Sequence, residues 1–437
     1  MSGLLRALSL LIGCFFIGTF IGTGPAAAAT DIQRIVSGGL EAWLVEDHAT
    51  PVVSLSLAFR GGAALDPPGK EGLAQLASSM LDEGAGDLDS QAFQRRLDDL
   101  AIELGFQVDR DAFYGHLRTL TENRDDAFAL LRLALSRPRF DAEPMERMRN
   151  QLQAYLRRAE EDPRTRAQRR LFAAVFPGHP YGRPVEGTHD SLAAVTADDL
   201  RGFVARRLSR DALVLGVVGD IAAADVKVLL DALARDLPVA GDRPAIADVV
   251  AAVVPETVVT MPARQAAVVF AQPGLKRNDP DFIALTVVNQ VLGGSGLTAR
   301  LFEEVREKRG LAYGIYTTPL PFDHSALILG AAGTANERVG ETVAVIRDEW
   351  RRLAREGLTE TELADAKRYL TGSYPLRFTA SGSIAEMLVA IQLERLGVDY
   401  ISRRNSLIEA VTLADANRVA TRLFDPDRLS VVIAGGL

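Results

Sequence analysis

The 437-residue chain carries 49 Lys and Arg against 57 Asp and Glu, a formal net charge of −8. That balance, without a basic block interleaved with aromatics, excludes nucleic acid as a partner. Hydrophobic residues make up 48% of the chain, and at roughly 100–200 residues per domain the length predicts at least two domains, each with its own core.

Residues 1–29 read as an export signal. Arg6 is the only charge, an apolar run extends from Ala7 to about Ile21, and Gly22-Thr-Gly-Pro25 breaks it. Ala26-Ala-Ala-Ala29 then offers a small-residue cleavage site before Thr30. The run is too short and too Gly-interrupted for a comfortable span, and no later stretch is apolar enough, so the mature chain is expected to have no stable membrane span. The expected location is the periplasm; an uncleaved N-terminal anchor is the alternative. Cleavage removes Cys14, the only cysteine, and with it any disulfide, thiol catalysis or thiolate–metal chemistry.

Beyond the signal, Val52–Phe59 alternates as a half-buried strand does, and a turn follows at Gly61-Gly62 and Pro67-Pro68-Gly69. Helices are expected over Glu71–Leu81, Ser90–Leu104, Asp125–Leu135 and Asp141–Glu160. In the last of these Met145, Met148, Leu152, Tyr155 and Leu156 fall near one face. Ala240–Asp248, leading to Pro255, is rich in Gly, Pro and short polar residues and reads as a linker. Further helices are predicted over Pro280–Leu292 and Leu297–Lys308, with Gly310 as a helix C-cap. Tyr313–Thr318 and Ala326–Gly330 read as paired strands. Residues 205–219 (ARRLSRDALVLGVVG) and 420–435 (ATRLFDPDRLSVVIAG) share one pattern of helix end, polar turn and apolar strand, which points to duplication of a whole domain. The fold class is therefore α+β, with domains over 30–240 and 250–437.

The stretch Asn289–Gly314, NQVLGGSGLTARLFEEVREKRGLAYG, resembles the second-domain signature of the insulinase/pitrilysin family of zinc metallopeptidases. Phe59–Ala74 is similar to that family's approach to its zinc helix, and Phe176–Thr188 to another of its segments. The resemblance implies two homologous layered domains of the processing-peptidase type, facing each other as a clam. Active members place H-x-x-E-H after Gly-Leu-Ala, two histidines one helical turn apart holding zinc and the Glu serving as general base. Here those positions read Gln75, Ser78 and Ser79, and the position aligned with the third ligand is Gln153. Neutral amides and hydroxyls are poor zinc ligands, and His48, His116, His179, His189 and His324 lie at no helical pair spacing. No metal or cofactor is expected in this chain.

Arg306 and Tyr313 match the family's pair that holds the substrate carbonyl as it becomes tetrahedral. Taken alone, these residues read as a solvated Arg and a packed Tyr on an amphipathic helix striped by Leu297, Leu301, Phe302 and Val305. With the resemblance, they imply the non-catalytic subunit of a two-subunit zinc endopeptidase, inactive alone. Its expected partners are an H-x-x-E-H homologue carrying the zinc and a peptide substrate. The alternatives are a peptide-binding module and a purely structural scaffold.

Overall fold

A computed structural model describes residues 31–436; residues 1–29, read above as an export signal, and Cys14 with them, lie outside the described residues. The first half builds one sheet from β1 (Gln33–Ser37), β2 (Leu40–Glu46), β3 (Val52–Arg60), β4 (Glu103–Val108), β5 (Ala112–Leu120) and β6 (Leu213–Gly219). Its helices are α1 (Leu73–Ser78), α2 (Ser90–Asp99), α3 (Arg124–Ser136), α4 (Ala142–Glu161), α5 (Pro163–Val175), α6 (His189–Ala193), α7 (Ala197–Arg207) and α8 (Ala223–Asp236). The second half contributes β7 (Thr257–Thr260), β8 (Gln265–Pro273), β9 (Ala312–Pro321), β10 (Ala326–Ala335) and β11 (Ser430–Gly435). Its α-helices are α9 (Phe282–Gly293), α10 (Val339–Glu356), α11 (Glu360–Gly372), α12 (Ser381–Leu393), α13 (Tyr400–Glu409) and α14 (Leu413–Leu423).

The sheet orders are β1-β2-β6-β3-β5-β4 and β7-β11-β8-β10-β9. Apart from the extra edge strand β1, the two orders correspond strand for strand. In each, the last strand of the half inserts parallel to the first of its five shared strands and antiparallel to the next. The two similar sequence segments occupy equivalent places, as helix end, 3-10 turn and central strand.

Each sheet is covered on one face by helices of its own half and on the other by a helix of the opposite half. Helix α5 lays Ala167, Leu171, Phe172 and Val175 against Val269, Ala271, Val432 and Ala434 of the second sheet. Helix α12 lays Ala385, Leu388 and Ile391 against Trp43 and Val218 of the first. Gly216 makes that approach possible, since a Cβ there would fall 2.6 Å from the carbonyl oxygen of Ala385. Burying a Leu, Phe or Val side chain stabilises by roughly 1.5–3 kcal/mol, so each exchanged helix is a substantial part of the core it completes.

The exchange also changes the reading of β3. Its alternation predicts one wet face, yet Val53 through Phe59 are all buried, because α12 covers the Ser54 and Ser56 side; Ser54 Oγ lies 2.8 Å from Ser381 Oγ. Other expectations shift for local reasons. The helix predicted over Ser90–Leu104 stops at Asp99, where Ala101 turns at φ 50° and the chain enters β4. Only Leu73–Ser78 of Glu71–Leu81 is α-helical. Tyr155 shares the face of Met145 and Met148 but is 42% exposed, whereas they are buried. Residues 241–256 carry neither helix nor strand, but they are pinned: Val249 N–H donates to the His324 carbonyl and Ala252 N–H to that of Val175.

Candidate functional site

On α1, the residues at the zinc-motif positions bond to each other. Ser78 Oγ donates to the Gln75 carbonyl at 2.8 Å and Ser79 Oγ to the same oxygen at 3.2 Å, while Gln75 Nε2 lies 3.4 Å from Ser78 Oγ. Ser78 is buried. Gln153 is half-buried on α4. A set of two amides and two hydroxyls, with both hydroxyls already committed to backbone, does not fit zinc. Among the described residues no group of three or more His, Cys, Asp or Glu side chains is arranged to hold a metal ion. Four of the five histidines have separate partners: His48 has Asp220 at 2.6 Å, His179 the Ala247 carbonyl, His189 Glu160 and His324 Asp248. Helix α1 is anchored by buried Asp66, whose carboxylate accepts from the N–H groups of Gly72 and Ala74. Burial pushes this carboxyl up to about 7.

The second constellation is open. The helix expected over Leu297–Lys308 begins only at Arg300; Leu297 is exposed and leaves the apolar stripe. Residues Phe302–Glu307 form a π-helix, in which Lys308 N–H reaches back five residues to the Glu303 carbonyl. Single π turns within helices mark functional positions more often than chance. Gly310 ends the helix in the left-handed region at φ 57°, its N–H donating to the Arg306 carbonyl and that of Leu311 to Val305. This turn delivers the chain into β9 so that Arg306 and Tyr313 meet: the Arg306 guanidinium lies 4.8 Å from the ring centroid of Tyr313 and 4.8 Å from that of Phe302. Tyr313 is 86% exposed, so it is not the packed tyrosine of the bland reading.

The neighbouring charges are paired elsewhere. Arg300 is buried and forks onto Glu362 at 2.6 and 2.8 Å, holding that carboxyl down to about 2 against its burial. Arg309 and Lys308 hold Glu304 below its ordinary range. Among the described residues Arg306 has only Glu307, at 3.6 Å.

Arg306 and Tyr313 open onto a cavity of about 510 Å³ whose wall includes Phe302, Ile315, Ala331 and Ala332. Gly314 and Gly333 leave its floor bare, since a Cβ at either would meet nothing within 4 Å. The pairing of β10 with β9 slips between Ala332 and Thr334, the kind of bulge that re-aims strands beside binding sites. Arg164 of α5 also lines this cavity, stacked 5.2 Å over the Tyr316 ring and donating to its hydroxyl. Sequence reasoning missed Arg164 and Tyr316; the Arg-rich start of α5 was visible, but nothing in the sequence pairs it with β9. The segment Phe176–Thr188 supplies a junction instead of a site. Buried Tyr181 donates to Asp111 and accepts from the His324 N–H, tying the β9–β10 turn to the first half.

Comparison with known proteins agrees with this geometry. Residues 42–189 match the family described as insulinase (peptidase family M16), and residues 194–370 match the peptidase M16 inactive domain. A Helicobacter pylori protein named non-peptidase homolog YmxG is 29% identical over 376 residues, covering 85% of this chain and 84% of its own length. An uncharacterized zinc protease of Mycobacterium tuberculosis is 28% identical over 407 residues, 91% of this chain and 92% of its own. The crystal structure of a peptidase M16 inactive domain from Pseudomonas fluorescens superimposes with a TM-score of 0.88 at 27% identity, covering 93% of this chain and 98% of that one. Two matched domains in order, one repeated topology and relatives along nearly the full length place this chain in the insulinase (M16) peptidase family.

Proposed function

We propose that this chain is the non-catalytic subunit of a two-subunit periplasmic zinc endopeptidase that degrades peptides or unfolded chains. Domains over 30–240 and 250–437 follow a signal cleaved near Ala29. The chain holds no zinc and cleaves nothing alone; its partner is a homologue with an intact H-x-x-E-H. The observation that carries this reading is the contrast between a closed, self-bonded α1 and an Arg306–Tyr313 pair that converges, largely exposed, on a cavity. The name of the H. pylori relative supports the first half of the contrast.

The chemistry assigned to this chain is electrostatic. As a peptide carbonyl becomes tetrahedral, negative charge develops on its oxygen. The Tyr313 hydroxyl donates a hydrogen bond to that oxygen, and the Arg306 guanidinium adds positive charge and planar donors. The stacking of Arg306 between Phe302 and Tyr313 fixes its orientation before substrate arrives.

The test is steady-state cleavage by the pair reconstituted with the partner that co-purifies from the native host. Tyr313→Phe deletes one hydroxyl and should lower turnover by about a hundred- to a thousand-fold, with assembly and partner zinc content unchanged. Equal turnover at equal assembly would make the chain a scaffold. N-terminal sequencing of the native protein should start near Thr30; a start at Met1 would mean an anchor.

A further inference from the structure

We infer that the peptide segment received beside Arg306 and Tyr313 is acidic, with Arg164 and Arg306 selecting it. This rests on reading that cavity as a peptide site. Its lining holds Arg164 and Arg306 and no Asp or Glu. Neither arginine is neutralised: Arg164 engages a phenol, and Arg306 has one carboxylate oxygen at 3.6 Å.

On its other side the same helix borders a second cavity of about 500 Å³, lined by five arginines and only two acids, Glu160 and Glu186. Both acids are engaged, Glu186 with Arg169 at 3.5 Å and Glu160 with His189 at 3.6 Å. Arg166 and Arg170 remain exposed, with no carboxylate within 4 Å among the described residues. On a chain of net charge −8, arginines that outnumber the acids on both sides of one helix focus potential and attract their complement. The bare Gly314–Gly333 floor and the Ile315 and Ala331 wall suit an apolar side chain, so the recognised segment is extended, with Asp or Glu flanking an apolar residue.

The test is fluorescence anisotropy on the full chain with three labelled twelve-residue peptides that share an apolar centre and differ only in acidic, neutral or basic flanks. The acidic peptide should bind about tenfold more tightly than the basic one, with the advantage shrinking as salt rises. Arg164→Glu should erase the preference. Because that change also breaks the Tyr316 contact, Tyr316→Phe, which removes the contact and keeps the arginine, serves as the second variant and should keep the preference, and thermal unfolding checks that both fold. Binding blind to flank charge, or no binding, would overturn the inference. So would a preference for phosphatidylglycerol vesicles over the acidic peptide, which would assign the arginines to a lipid surface. The measurement needs neither partner nor turnover. Loss of charge preference therefore counts against this inference alone, and failed reconstitution of cleavage against the proposed function alone.

Discussion

Helix α1 and the π-helix with β9 stand at the two places where an insulinase-family protein would do chemistry, and they differ in how their polar atoms are used. On α1 the hydroxyls of Ser78 and Ser79 turn back onto the Gln75 carbonyl, and Ser78 is buried. Around β9 Glu304 and Glu362 are tied to other basic residues, Arg306 keeps only a 3.6 Å approach to Glu307, and Tyr313 stands in solvent. An exposed aromatic flanked by a weakly paired cation gains little for folding. On the proposed function, the self-bonded side chains of α1 have no task, and the open pair beside β9 is the one available to a ligand.

The sharpest way to break this contrast is to undermine the foundation of the open site. Glu362→Gln leaves the Arg300 guanidinium, 6% exposed, without its counter-ion at the start of the π-helix segment. Removing one partner of such a buried pair costs about 3–5 kcal/mol, and the loss should appear in denaturant unfolding. The sign with pH follows from the depressed carboxyl of Glu362. Its contribution is fully present above the ordinary Glu range and is lost as pH falls toward about 2, so wild type and variant should converge in acid.

A smaller effect is expected at the base of α1. Asp66 is pushed up to about 7 by burial, so its ionisation is disfavoured in the fold. Its effect on stability is most favourable below the ordinary Asp range and declines as pH rises through about 7. Asp66→Asn should remove that part of the pH dependence between pH 4 and 7, although the amide keeps only one acceptor oxygen for the Gly72 and Ala74 N–H groups. A wild-type curve parallel to that of the variant would show that Asp66 titrates normally.

The smallest effect is predicted for the relict positions themselves. Ser79→Ala deletes a hydroxyl that bonds its own helix, a bond worth about 1 kcal/mol or less. Unfolding should shift by no more than that, and turnover of the reconstituted pair should not change. A large loss of turnover would mean that α1 still acts in the chemistry.

Much of this arrangement was legible in the sequence. The duplicated helix–turn–strand endings, the strand pair β9–β10 and the Gly310 cap are all local patterns, and local patterns survive folding. The misses are non-local. The β3 alternation announced a wet face because nothing in Val52–Phe59 says that Ser381 will cover Ser54. The π turn came unannounced because its five-residue hydrogen bond leaves no mark distinguishable from a helical stripe. Arg164 escaped because its partner, Tyr316, lies in the other half of the chain.

The exchange of α5 and α12 also has a consequence in time. Synthesis runs from the N-terminus, so the first sheet has all its strands once Gly219 is made. Its Trp43 and Val218 face stays uncovered until Ser381–Leu393 leaves the ribosome. A nascent chain halted in the linker would present that apolar face to the cell, as a site for chaperones or aggregation. A protease that nicked the same linker in the finished protein would separate nothing, because each piece already holds a helix of the other. For this chain the unit of synthesis, of quality control and of survival after a cut is the whole molecule.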